Sequence, residues 1–168
     1  STLTYSWFME ARTLHAPLNA LSAATRPQGI EIATLTTFDI PALAVLTLEA
    51  YGDDVTPEAL LETSEELRLT FEGAFGATTE DSFVGAWDGG TLVGAILVVR
   101  ESPWDDAPDD PFVVDLIVAP DYRRRGIATA LVAEVAGRCA SWGFGSLALR
   151  LDSRHGGANE LYSVLGFE

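Results

Sequence analysis

Hydrophobic and polar positions change period along this chain, and the changes predict its elements. Residues 30–36 (IEIATLT) alternate and predict a strand. Residues 42–51 carry apolar side chains at helical spacing, with Pro41 near the start and Asp39 placed to cap it. Pro57 opens a second helical stretch through Leu60, Leu61, Leu67, Leu69 and Phe71, with a break expected near Thr63 and Ser64. Residues 82–87 and 91–99 are β-rich, and Asp88-Gly89-Gly90 between them is a hairpin signal. Residues 101–110 hold Pro103, Trp104, Pro108 and four aspartates, which predicts a loop. Residues 112–118 are apolar except for Asp115, as in a strand covered on both faces. A helix over 126–141 then closes at Gly143, followed by a strand over 146–151 and a short helix over 158–165 ending at Gly166. Upstream, Leu3, Tyr5, Trp7, Met9 and Ala11 alternate like a half-buried strand.

Composition narrows the class. A chain of 168 residues that is 48% hydrophobic can bury a core as one domain. It has no run of 18 apolar residues, so no membrane helix is expected. The N-terminus lacks the basic-then-apolar order of a secretory signal, which leaves a cytoplasmic location as the default. The single cysteine, Cys139, lies in a helical pattern with Leu131 and Val135 and reads as a buried inert thiol. With His15 and His155 far apart and one cysteine, no metal site is expected. The net charge of −15 works against a nucleic-acid partner. It suits a cationic acceptor such as an amine, or serves solubility alone. No lysine occurs; all ten basic residues are arginine, and three stand together at Arg123, Arg124 and Arg125.

Those arginines sit where chemistry is concentrated. The apolar run through Leu116, Ile117 and Val118 ends at Ala119-Pro120, where proline stops ladder pairing. Gly126 and Ala128 keep the following helix entrance free of bulk. A helix N-terminus offers unpaired N–H groups and partial positive charge, and small residues let a phosphate approach them. The stretch Arg124 to Thr129, including Ile127, therefore reads as a binding site for a di-anion.

Arg-x-x-Gly-x-Ala (Arg123, Gly126, Ala128) resembles the pyrophosphate-binding signature of the GCN5-related N-acetyltransferases. Leu-x-Val-x-Pro (Leu116, Val118, Pro120) precedes it at the family's spacing. Ala158-x-x-Leu161-Tyr162-x-x-x-Gly166-Phe167 follows some 30 residues later. The resemblance covers residues 82–168 well, and residues 30–81 by pattern only. It implies an α/β fold with a mixed, largely antiparallel sheet, a splayed parallel strand pair and flanking helices. It also implies acetyl-CoA as cosubstrate, with its pantetheine arm against the backbone of Leu116, Ile117 and Val118. By the same resemblance Tyr162 is the general acid for the departing thiolate, and His155 stands where the family often has an arm-binding asparagine. A solvated loop histidine is the plain alternative for His155. The branch of the family that acetylates ribosomal-protein N-termini has a glutamate as base where this chain has Arg150, so that substrate class loses support.

Thioester-to-amine transfer also requires that a protonated amine lose its proton, a task for a carboxylate. Asp115 is the first candidate, because a carboxylate inside an apolar strand is costly unless paired or functional. An arginine or backbone amide partner would equally account for it. Asp152 is the second candidate. Trp87, Trp104, Tyr51 and Phe75 could line an acceptor pocket or simply pack.

The expected activity is N-acetylation of a primary amine on a small molecule or peptide, by direct attack. The alternative is a non-catalytic acyl-CoA-binding module or partner subunit. Residues 30–168 read as the acetyltransferase domain, apparently lacking the usual two C-terminal strands, with 1–29 as an N-terminal extension. Residues 2–14 could supply a missing strand to their own chain or to a partner copy, which keeps a homodimer open. Residues 1–8 could instead be a tag remnant, with Met9 as the natural start.

Overall fold

A computed structural model describes residues 12–21, 26–101, 110–151 and 167. Their strands form one six-stranded sheet. In chain order these are β1 (Arg12–Pro17), β2 (Glu31–Thr34), β3 (Phe83–Asp88), β4 (Thr91–Val99), β5 (Phe112–Val118) and β6 (Ser146–Leu151). The helices are the single turn α1 (Leu18–Leu21), then α2 (Ile40–Ala50), α3 (Pro57–Phe71) and α4 (Ile127–Ser141). The spatial order is β1-β6-β5-β4-β3-β2. All neighbours are antiparallel except β5 and β6, which α4 joins in parallel as a crossover helix. The fold is therefore mixed α/β, with one parallel pair in a largely antiparallel sheet.

The continuous apolar character of β4 follows from its central place. Val93, Ile96 and Val98 enter the core under α4, with Ile127, Leu131, Val132, Val135 and Cys139. Leu92, Ala95 and Leu97 enter the core under α2 and α3, with Leu43, Leu46 and Leu67. Covered on both sides, the strand has no polar face to show. Gly94 lets α4 settle closely, since a Cβ there would lie 2.8 Å from Ile127 Cγ2. Burial pushes the Cys139 thiol up to about 12, and the side chain is fully buried, so it is the inert thiol expected.

The outer strand β1 pairs antiparallel with β6, from Arg12↔Leu151 to Pro17↔Ser146. Leu14, Ala16, Leu18 and Leu21 join the core under α4. Residues 12–21 are thus part of the same packed unit as the rest of the sheet. The remainder of the 2–14 segment lies outside the described residues.

Two local expectations are corrected. Asp39 does not cap α2 with its side chain. A 3-10 turn (Thr37–Asp39) runs directly into the helix, so the capping position moves to Thr36, whose Oγ1 accepts the Phe38 N–H at 3.3 Å while Asp39 Oδ2 accepts the Thr36 N–H at 2.8 Å. Helix α3 also runs unbroken through Thr63 and Ser64. Thr56 caps it, Leu67 anchors it, and Arg68 bonds Glu65 and Glu72 along its exposed side, which together outweigh the weak propensity of two hydroxyl residues. Helix α4 ends as expected at Gly143 (φ +94°), with Gly143 N–H to Ala140 and Phe144 N–H to Cys139, the two bonds of a Schellman cap.

An arginine of α4 ties the sheet's far end to that helix. Arg138 donates to Thr34 Oγ1 at 2.8 Å and to the Asp81 carbonyl at 2.9 Å, and pairs with Glu134. Trp142 Nε1 donates to Asp81 Oδ2. The Thr79 hydroxyl beside Asp81, then Trp142 and Arg138, hold its carboxyl below its usual range against the opposing effect of burial. A depressed folded pKa contributes stability above the unfolded value of about 3.9 and loses it as pH falls below that. Melting temperatures recorded from pH 7 to pH 3 should fall more steeply below about pH 4 in the parent chain than in Asp81→Asn. Removing the core side chain in Leu131→Ala should cost about 2–5 kcal/mol in urea unfolding at any pH.

Candidate cofactor and acceptor site

Strand β5 is held on one side along its length and on the other only at its start. Its register with β4 runs from Val99↔Phe112 to Gly94↔Val118, with an irregularity that leaves Val114 as an extra residue. Its parallel register with β6 consists of Phe112↔Ala148 and Val113↔Leu149, extended by Ala148 N–H to Pro111. Beyond Val113 the pair is splayed. The Ala119 N–H bonds Val93 O at 2.8 Å, which fixes the phase of the ladder. Backbone groups alternate sides along a strand, so those of Leu116 and Val118 face the gap while Ile117 bonds β4. The sequence had grouped all three together.

The chain then turns through a 3-10 segment (Pro120–Tyr122), and Arg124 and Gly126 are both left-handed, at φ +62° and +81°. For arginine that conformation costs roughly 1 kcal/mol. Such turns gather successive N–H groups on one side. Gly126 occupies the N-cap of α4 without a side-chain cap, so the N–H groups of Ile127, Ala128 and Thr129 stand at an uncapped helix start. A Cβ on Gly126 would find its nearest neighbour, Pro27 Cγ, at 3.8 Å. The backbone angle, rather than lack of room, demands glycine.

The three arginines separate in role. Arg123 donates from Nε to Val118 O at 3.2 Å and from Nη2 to Ala50 O at 2.6 Å, tying the end of β5 to the last carbonyls of α2. Arg124 and Arg125 are exposed beside the helix start. Arg125 lies over the Tyr122 ring at 4.8 Å, and Tyr122 donates to Asp88 Oδ2 at 2.6 Å. That bond to Asp88 raises the phenol's pKa. A cavity of about 300 Å³ opens here, lined by Pro27–Ile30, Asp88, Tyr122 and Arg125.

On the other sheet face, that of α2 and α3, stands Asp115. Its Oδ1 accepts the Tyr51 hydroxyl at 2.6 Å across 64 residues of sequence, and both side chains are half-buried. The sequence had suggested an arginine or a backbone amide as the structural partner; a tyrosine at the end of α2 carried no local signal for this. His15, to which the sequence assigned nothing, meets Asp110 Oδ2 at 2.7 Å. That meeting follows from the β1–β6 register, which no motif announces.

Tyr162, His155, Asp152, Trp104 and the stretch 158–165, where a helix was expected, lie outside the described residues, while Phe167 is buried in the core under α4. Among the described residues, no three metal-binding side chains converge, and no helix is long and apolar enough to cross a membrane.

The sequence profile described as the Acetyltransferase (GNAT) family matches residues 45–167, from the middle of α2 to the core phenylalanine. The chain belongs to this family. Solved structures share the GNAT fold. A GCN5-related N-acetyltransferase from Sphaerobacter thermophilus superposes with a TM-score of 0.65 at 24% identity, over 94% of this chain and 47% of its own. An N-acetyltransferase from Thermoplasma acidophilum in complex with coenzyme A superposes at 0.61 and 19% identity, over 83% and 89%. An aminoglycoside antibiotic 6′-N-acetyltransferase from Acinetobacter baumannii gives 0.61 at 19%, over 83% and 91%. This GNAT chain thus spans about half the length of the Sphaerobacter protein. No curated protein sequence matches it.

The left-handed N-cap generates a direct test. Gly126→Ala should lower the unfolding free energy by about 1–2 kcal/mol, as measured by urea denaturation. Ala128→Gly should cost about 1 kcal/mol, through helix propensity and the loss of a half-buried methyl packed against the core.

Proposed function

We propose that this GNAT chain is an acetyl-CoA-dependent N-acetyltransferase that acts on a primary amine of a small molecule or peptide by direct attack. The observation that carries the reading is the open edge of β5 meeting the glycine-capped start of α4. Peptide-like donors and acceptors along Leu116 and Val118 fit a pantetheine arm. The N–H groups from Arg124 to Thr129, with the Arg124 and Arg125 charges, fit a pyrophosphate. The coenzyme A complex of the Thermoplasma relative supports the donor, and the Acinetobacter relative supports an amine acceptor. The net charge of −15 favours cations over nucleic acid. Residues 30–168 are proposed as the acetyltransferase domain, with the preceding segment lending it β1.

In this reading Asp115 accepts the proton of the incoming ammonium, directly or through water. The amine nitrogen forms a bond to the thioester carbonyl carbon. The carbon–sulfur bond then breaks, Tyr162 gives its proton to the departing sulfur, and the second proton lost by the nitrogen restores the phenol. His155 is proposed as a contact to the arm. No covalent enzyme intermediate is needed, and Cys139, buried in mid-helix, is not a nucleophile.

Thiol release from acetyl-CoA over a panel of primary amines tests the reaction. Amine-dependent release is expected, whereas coenzyme A binding with no turnover on any amine would establish the non-catalytic module instead. Asp115→Asn should lower kcat by about 10²–10⁴-fold while coenzyme A affinity by calorimetry stays within about twofold. Tyr162→Phe should lower kcat with a smaller effect on KM; unchanged turnover would remove it as the acid.

A further inference from the structure

We infer that Tyr51 is a positioning residue that fixes the Asp115 carboxylate on the acceptor side of β5. The inference rests on the proposed role of Asp115 as proton acceptor. The 2.6 Å bond from Tyr51 Oη to Asp115 Oδ1 joins a hydroxyl to a carboxylate, the stronger kind of hydrogen bond. Both groups are half-buried, so water competes for the pair less than at an open surface.

The Tyr51 ring packs against the core under α2 and α3, so a single polar atom separates it from a phenylalanine. Its backbone closes α2 through its N–H to Thr47 O. The preceding carbonyl, Ala50 O, is held by Arg123, which also holds Val118 O three residues beyond Asp115. The Tyr51–Asp115 bond and the Arg123 strap both tie the end of α2 to β5. With the tyrosine backbone immobilised, its hydroxyl is a fixed reference for the Asp115 carboxylate. A proton acceptor works only within hydrogen-bond reach of its proton, and reach is what this bond sets.

The test uses the purified chain with acetyl-CoA and spermidine, kanamycin or a peptide with a free amino terminus, carrying forward the amine that gives fastest thiol release. Tyr51→Phe should lower kcat roughly tenfold, leave KM for acetyl-CoA unchanged and keep the melting temperature close to the parent. In the Asp115→Asn background the same change should lower kcat no further, the non-additivity expected of residues acting through one another. Parent-like kcat in Tyr51→Phe, or an equal fractional loss in both backgrounds, overturns the inference and leaves Asp115 in its role. An Asp115→Asn chain with parental kcat, or no release with any amine, removes the role of Asp115 and the inference with it.

Discussion

Strand β5 must satisfy its backbone on two sides, and β6 serves one of them only as far as Val113. Buried N–H and C=O groups are costly when unpaired, so a sheet interior does not normally leave such an edge. The extra residue at Val114 supplies a local cause. A bulge bends its strand and increases its twist, which carries the second half of β5 away from β6. Val118 O finds the Arg123 guanidinium. The backbone of Leu116 faces the same gap and is suited to an extended, amide-bearing ligand. The splay thus leaves a stretch of strand edge open within the sheet.

The same strand divides the molecule's chemistry between two faces. On one side α4 begins at an uncapped glycine beside two exposed arginines, an arrangement that attracts phosphate. On the other, α2 and α3 cover the sheet and bring Tyr51 to Asp115. Ten arginines against 25 acidic residues make the position of the three at 123–125 decisive. Of those three, Arg124 and Arg125 are exposed beside the start of α4, while Arg123 is turned to the carbonyls of Val118 and Ala50.

Much of this was legible in the sequence because it is local. The β5 run, the glycine-started helix, the Asp88-Gly89-Gly90 hairpin and the Gly143 cap each depend on residues within a few positions of one another. The errors were local too, at places where two weak signals competed. The capping preference of Asp39 was diverted to Thr36 by a preceding 3-10 turn, and the hydroxyls of Thr63 and Ser64 yielded to packing through Leu67. What the sequence could not supply were partnerships between distant segments. Asp115 announced itself as a costly charge in an apolar strand, but its tyrosine partner lies 64 residues away. His15 and Asp110, 95 residues apart, meet only because β1 lies against β6. Arg123 looked like one of three equivalent cations. Backbone carbonyls from two elements, invisible in a pattern of side chains, give it a different task.

That task bears on the strained residue beside it. Arg124 is held left-handed at φ +62°, a conformation that costs about 1 kcal/mol and persists only when its surroundings fix it. On its N-terminal side Arg123 is anchored through its side chain to Val118 and Ala50, and its N–H reaches Pro120 O. On its C-terminal side Gly126 adopts its own left-handed angle without strain and opens a helix whose Ile127 and Leu131 are fully buried. With both flanks fixed, the turn between them has little freedom to relax. The strap that orders the end of α2 therefore also helps hold the N–H groups of the turn before α4 in place. One guanidinium supports the end of α2, the end of β5 and the start of α4 at once.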